Sequence, residues 1–417
     1  MQIKYLSLVL VIILFEGRLF AQNNTSPYSI LGIGDIESGM YGKWSGMAST
    51  AAALSSNRYL NQLNPASLSK LDDQFFTFEF SGRYKAVSYS QISTGLTNTK
   101  SADISMEKLA LGIKLTKKWG SGVGLSPFST SNYSFYSPKT IQGTNYQLNG
   151  YYSGSGGLNM VYWSNGYSIT KNLRVGIQAA YLFGSLRQNE ELSTDVTGST
   201  YTTARNIYMT SPYLNYGLQY NVNLTKKFQL AIGGTYGASA KLNTDYDYTV
   251  TNDTTTIVSE TSVKGSSYKI PATTMAGIAL TYNNKFTFAS DYKHQDWSSL
   301  HSNGLNYSLV NSDRYSVGVE YAKKLKGLNQ NFERYYYQAG FYYNNSYLQV
   351  NKEQLKDYGL TLGVGLNSIR NALGISAALQ VGSRGTTNNG LIKENYTQMT
   401  FTLSYRDFWF TKGRKYD

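Results

Sequence analysis

His294 and His301 are the only imidazoles in the chain, and there is no cysteine at all, so little side-chain chemistry is open to this protein. A hydrolytic triad would have to recruit one of these histidines and a nearby carboxylate. In the stretch DYKHQDWS (291–298), Asp291 and Asp296 flank His294. On an extended segment Asp291 falls on the opposite side from His294, while Asp296 shares its side near the segment end. No serine or threonine is marked as a nucleophile, so the pattern points away from an enzyme. Asp245 and Asp247 share one face, but two oxygens fall short of the about six to eight that calcium takes. The glycine pairs Gly32-Ile33-Gly34 and Gly154-Ser155-Gly156-Gly157 lack the strand–turn–helix setting of a phosphate loop. No metal and no cofactor is therefore expected. The formal net charge is +13, yet the cations fall in short turns rather than in one stripe, which argues against nucleic acid.

The elements that would position such residues are strands. In LRVGIQAAYLFG (173–184) one side reads Leu173, Val175, Ile177, Ala179, Tyr181, Phe183, and the other Arg174, Gly176, Gln178, Ala180, Leu182, Gly184. The same split recurs at 373–382. These segments commonly run to ten residues or more, the length a tilted strand needs to cross a bilayer. A soluble sandwich would carry charges on its second face, where this chain carries Gly and Ser. Some fourteen such segments lie between Gln74 and Phe410. The 38 Tyr and 39 Gly against 6 Pro suit interfacial aromatic girdles and a crowded lumen. Every second connection is short and basic, as at Thr116-Lys117-Lys118 and Thr225-Lys226-Lys227. The intervening ones, such as 190–200 and 251–265, are polar and read as long loops. Short turns on one side and long loops on the other are the outer-membrane pattern.

Ahead of the strands stand two other pieces. Residues 1–21 read as an export signal, with an apolar run from Leu6 to Phe15 and a cut site at Ala21-Gln22. Residues 22–72 read as a small helical plug folded inside a barrel formed by 73–411, leaving 412–417 as a periplasmic tail. Ala48, Ala51, Ala52, Ala53 and Ser55 are small enough to lie close to a wall. A helix over 48–60 is expected to stop at Pro65, because Asn64 before it is pushed out of the helical region. One barrel position is anomalous. Pro127 lies mid-strand without an N–H to give, so it should mark a bulge or gap, with Gly122 and Gly124 easing the bend.

Four features carry a family resemblance: GMASTAAALSSNRYLNQLNPASL (46–68), GVGLSPF (122–128), DYKHQDWS (291–298) and the strand number. With them the chain resembles the FadL-type outer-membrane transporters of Gram-negative bacteria, a group that includes PorV-like shuttle proteins. The resemblance implies an all-β, transmembrane antiparallel barrel of about fourteen strands in the outer membrane, in contact with its lipids. It implies passive uptake of small hydrophobic, fatty-acid-like compounds. Asn64, Pro65 and Ala66 would gate the lumen, and Gly122, Gly124, Pro127 and Phe128 would shape a lateral exit to the bilayer. Arg174, Asp291 and Trp297 would line the ligand path. The PorV-like branch implies an alternative, a scaffold whose partner is a secreted or assembly-machinery protein in the outer membrane.

Overall fold

Alternation along each strand becomes a two-faced wall once the ends meet. The computed structural model describes residues 26–37, 41–91, 97–141, 143–144, 146–193, 198–264, 268–300, 306–326, 331–368 and 372–409. The export signal, the 412–417 tail and His301 lie outside them.

The wall has fourteen strands in chain order. They are β1 (Phe75–Ser90), β2 (Thr97–Lys114), β3 (Trp119–Thr130 and Tyr133–Thr140), β4 (Gln147–Ser168), β5 (Leu173–Ser193), β6 (Thr200–Asn223) and β7 (Phe228–Gly237 and Ala240–Asn252). Then follow β8 (Thr255–Lys264, Tyr268–Ile270 and Thr273–Tyr282), β9 (Phe286–Gln295), β10 (Tyr307–Leu309 and Ser312–Lys326), β11 (Asn331–Val350), β12 (Glu353–Asn367), β13 (Leu373–Arg384) and β14 (Lys393–Phe408). Each pairs antiparallel with the next. The sheet closes where β1 meets β14, from Phe75↔Phe408 to Ser90↔Lys393. Closure removes sheet edges, which hydrocarbon would leave unsatisfied.

The faces follow the sequence pattern. On β5, Ile177, Tyr181 and Phe183 are exposed, while Arg174, Gln178 and Leu182 are buried inward. Exposed Trp119, Tyr167, Tyr220, Phe228, Phe286 and Tyr337 stand near the short-turn end. Tyr84, Tyr181, Tyr236, Tyr315 and Tyr358 stand higher, completing two aromatic belts. The polar stretch 251–265 is not a long loop. β7 runs to Asn252 and β8 starts at Thr255, so residues 251–264 belong to the upper part of a tall hairpin, paired with two register shifts.

The plug is not helical. Among the described residues of 26–72 the regular elements are 3-10 turns, Pro27–Ile30, Lys43–Met47 and Pro65–Lys70, and the short strand Asp35–Ile36. The helix expected over 48–60 is absent for two reasons. Ala48 (φ 54°) and Ser49 (φ 62°) are left-handed, which no right-handed helix can include. The backbone groups a helix would use for itself are instead taken by the wall: Asp291 accepts from the Ala51 and Ala52 N–H groups, and Gln219 donates to the Ala52 and Leu54 carbonyls.

Candidate functional site

The interior is organised by close approach. Asn64 is extended, and its Oδ1 accepts from the Ala66 N–H at 3.1 Å, starting the turn that Pro65 opens. Its Nδ2 donates to Ala52 O at 2.8 Å within the plug and to Leu218 O at 3.1 Å on the wall. Beneath this turn Gly120, Gly166, Gly176 and Gly217 form a cross-strand row over β3 to β6. A Cβ there would land on Leu68 O, Pro65 O, Ala66 N and Asn64 Oδ1 respectively. Two further glycine pairs repeat the arrangement. Gly233 and Gly277 lie under Ala52, and Gly318 and Gly340 lie under Met47 and Ala48. Absent side chains thus let backbone rest on backbone around much of the lumen.

Charge then pins what shape admits. Lys43 of the plug reaches Glu333 at 2.7 Å and Glu320 at 3.3 Å. Burial opposes its charge, but the two carboxylates prevail and hold the ammonium above the ordinary lysine range. Arg384 clasps Asp35 through two 2.8 Å bonds. Arg406 meets Asp72 at 2.6 Å. On β2 a bulge opposite Ser81 and Gly82 turns two successive residues inward, Glu107 and Lys108. Lys108 pairs with Glu79 at 2.5 Å and also donates to Leu60 O, while Glu79 accepts from Leu60 N–H. Glu107 pairs with Arg83 at 2.8 Å.

Glu37 sits at an interruption in the wall. Pairing of β2 with β3 runs from Lys114↔Gly120 only to Leu109↔Leu125. Above it β3 shifts register against β4 between Pro127 and Ser129. The plug fills part of the vacated edge: Asp35↔Thr130 and Ile36↔Ser129 are paired, and Glu37 N–H donates to Phe128 O at 3.0 Å. The Glu37 carboxylate accepts from Arg83, Tyr41 and Thr130, so it ties β1 to β3 across the interruption. Burial works against its ionisation, yet the Arg83 guanidinium outweighs this and holds it below its ordinary 4.5.

Two small cavities lie beside the plug, and a larger, mostly apolar hollow of about 1220 Å³ is lined by Tyr84, Phe341, Tyr358, Leu360 and Val381 among others. Of the two beside the plug, one, of about 150 Å³, is lined by charged and amide groups including Glu37, Arg83, Lys293, Arg314, Asp357 and Arg384. The other, of about 100 Å³, is lined by Leu63, Pro127, Phe128, Met160, Tyr213 and Met275 among others. Ile36, Glu37, Lys293 and Gln295 line both.

Of the residues singled out from sequence, Asn64, Pro65 and Ala66 come together on the glycine row. Gly122 approaches Leu68, and Gly124 lies against the Tyr162 ring. Phe128 packs edge-on against Tyr213, at 6.0 Å between centroids. Arg174, Asp291 and Trp297 do not converge. Arg174 bonds Asn221 near the short-turn rim, Asp291 holds the plug amides, and Trp297 stacks on Tyr347 at 4.4 Å in the apolar outer cap. None of the three lines either cavity beside the plug. His294 finds a carboxylate on the next strand, Asp313, at 2.8 Å. Glu37, Arg83, Glu107 and Lys108 are functional neighbours that strand patterning does not point to. The signal that marks the last two is a pair of consecutive charges inside an alternating strand.

Comparison with known proteins follows this geometry. Solved structures share the fold: the Ralstonia pickettii toluene transporter TbuX (17% identity, 88% of this chain and 98% of that one, TM-score 0.59) and a Pseudomonas aeruginosa FadL homologue (14% identity, 90% and 100%, TM-score 0.60). The P. putida toluene transporter TodX is similar at 16% identity, 89% and 99% coverage and a TM-score of 0.58. The protein accordingly has a closed β-barrel of FadL-like fold. No curated protein matches the sequence. The sequence model of the BamG family matches residues 2–417. That match spans nearly the whole chain, and the chain belongs to the BamG family.

Proposed function

We propose that this barrel is an outer-membrane scaffold subunit that binds a protein partner, with the outer-membrane assembly machinery as the partner class that the BamG family name suggests. The observation that carries the reading is the seated plug. Its backbone rests on glycines, and buried charge pairs fix it at Glu37, Lys43, Asp35 and Asp72. Breaking one buried pair by removing a partner costs about 3–5 kcal/mol, so a plug held by several does not yield to casual passage. Neither cavity beside the plug, at about 150 and 100 Å³, reaches the about 300 Å³ of an ordinary small-molecule site.

A second reading is passive uptake of small hydrophobic compounds with sideways release. It is supported by the interrupted β2–β3 pairing and by the cavity that reaches Pro127 and Phe128. Toluene is the compound for which TbuX and TodX are named as transporters.

One pair of measurements separates them. Affinity purification from gently solubilised outer membranes should yield a stoichiometric protein partner. Cellular uptake of a labelled hydrophobic compound should be the same with the wild-type barrel, with Pro127→Val, or with neither. A partner-free barrel, together with uptake that depends on it and falls in Pro127→Val, would replace the scaffold by the conduit.

A further inference from the structure

Residues directly opposite on neighbouring strands are stabilising when their charges differ and destabilising when they match. One half-buried, inward-facing row breaks this rule. Lys293 of β9 lies directly opposite Arg314 of β10, and Asn344 of β11 is next in the same row. All three line the cavity of about 150 Å³. Away from bulk water, repulsion between such cations is poorly screened.

The carboxylates that line the cavity are committed elsewhere, and Asp291, outside the lining, spends one oxygen on the plug while its charge is felt by Arg314. Asp35 is clasped by Arg384, and Glu37 is shared among Arg83, Tyr41 and Thr130. Asp357 accepts from the Tyr396 hydroxyl at 2.7 Å, and Asp291 Oδ2 is taken by the two plug amides. Arg314 is steadied by Ala48 O at 3.3 Å and by the Tyr342 ring at 4.2 Å, but meets no carboxylate among the described residues. Lys293 has no hydrogen-bond acceptor among them. Arg83, Lys85, Lys293, Arg314 and Arg384 line the cavity with Asp35, Glu37 and Asp357, and Glu107 pairs with Arg83 from outside the lining, so the cations without an ion pair include Lys293 and Arg314. Gln295, Ser312 and Asn344 add neutral polar groups beside the unmatched pair.

We propose that this cavity binds a small oxyanion of the phosphate type between Lys293 and Arg314. A doubly charged tetrahedral ion would turn the repulsive pair into a bridged one and accept from Asn344 or Gln295. The space suits such an ion with few waters and is too small for one carrying an acyl chain. Because Ile36 and Glu37 of the plug form part of the lining, the bound ion also fastens plug to wall.

The test uses the full chain in non-ionic detergent, following thermal unfolding with sodium phosphate or with sodium chloride at equal ionic strength. The expected result is a saturable rise of the midpoint with phosphate only. In Lys293→Gln the rise disappears, while the phosphate-free midpoint stays level or increases because the repulsion is gone. Short-chain phosphatidic acid in the same assay distinguishes a lipid headgroup from the free ion, and only the free ion should protect. The proposal is overturned by no saturable response to phosphate, by a response that survives in Lys293→Gln, by a fall in the phosphate-free midpoint of that variant, or by protection from the lipid alone.

Discussion

Glu37 concentrates several roles in one carboxylate, and its protonation has a definite sign. Its folded value is depressed, with Arg83 prevailing over burial. The stability it contributes is therefore present above the ordinary 4.5 and lost as the pH falls through the lower folded value. Acidification should loosen residues 26–41 from β1 and β3 and expose them to protease, with little change at neutral or mildly alkaline pH. Glu37→Gln should show that exposure already at neutral pH and flatten its acid dependence. Equal acid sensitivity in wild type and variant would assign the effect to another group. Residues of this kind are poorly legible in sequence. Glu37 and Arg83 are 46 positions apart, and only the threading of plug through wall makes them neighbours. Asn64 is legible because its turn is local and proline sets it. Lys293 and Arg314 become a pair only when the register of β9 on β10 is known.

Among elements, the strands are the readable part, since alternation over ten or more residues fits a strand and little else. The plug looks helical in sequence because small, helix-tolerant residues say nothing of what the wall will demand of their backbone. The same demand accounts for the glycines, which in sequence look like ordinary barrel composition. A sharp contrast follows from their two faces. Gly176→Val would drive a side chain into Ala66 N, whereas Gly234→Val meets only Met275 O, at 3.6 Å. Overpacking of a tight interior costs about 1–3 kcal/mol. Gly176→Val should still insert and resist unfolding in the cold, but with a lowered thermal midpoint and a plug open to proteolysis. Gly234→Val should match wild type. Identical behaviour of the two variants would show that the row does not seat the plug. At β3, the missing N–H of Pro127 is visible in the sequence, and a register shift stands there in the fold. What that interruption does is a separate matter, carried by the uptake measurement.

At the scale of the molecule, strand number and closure are open to the sequence, because long alternating segments can be counted and an even number of them closes antiparallel. Partner and cargo are not, since both depend on which inward residues share a level, and a period of two contains no height. One feature of the closed form reaches further. The chain enters the wall at Phe75 beside Phe408, at the short-turn end, yet Ser26 bonds Asn132 O and Tyr28 bonds Ile392 at the opposite end. The leading segment thus runs through the cylinder, inside a wall that the first and last strands close. An epitope placed just ahead of Ser26 should be stained by antibody on intact cells. A rigid folded cargo fused at the same point would have to be drawn through a bore already full, and should stall biogenesis with the seam unzipped.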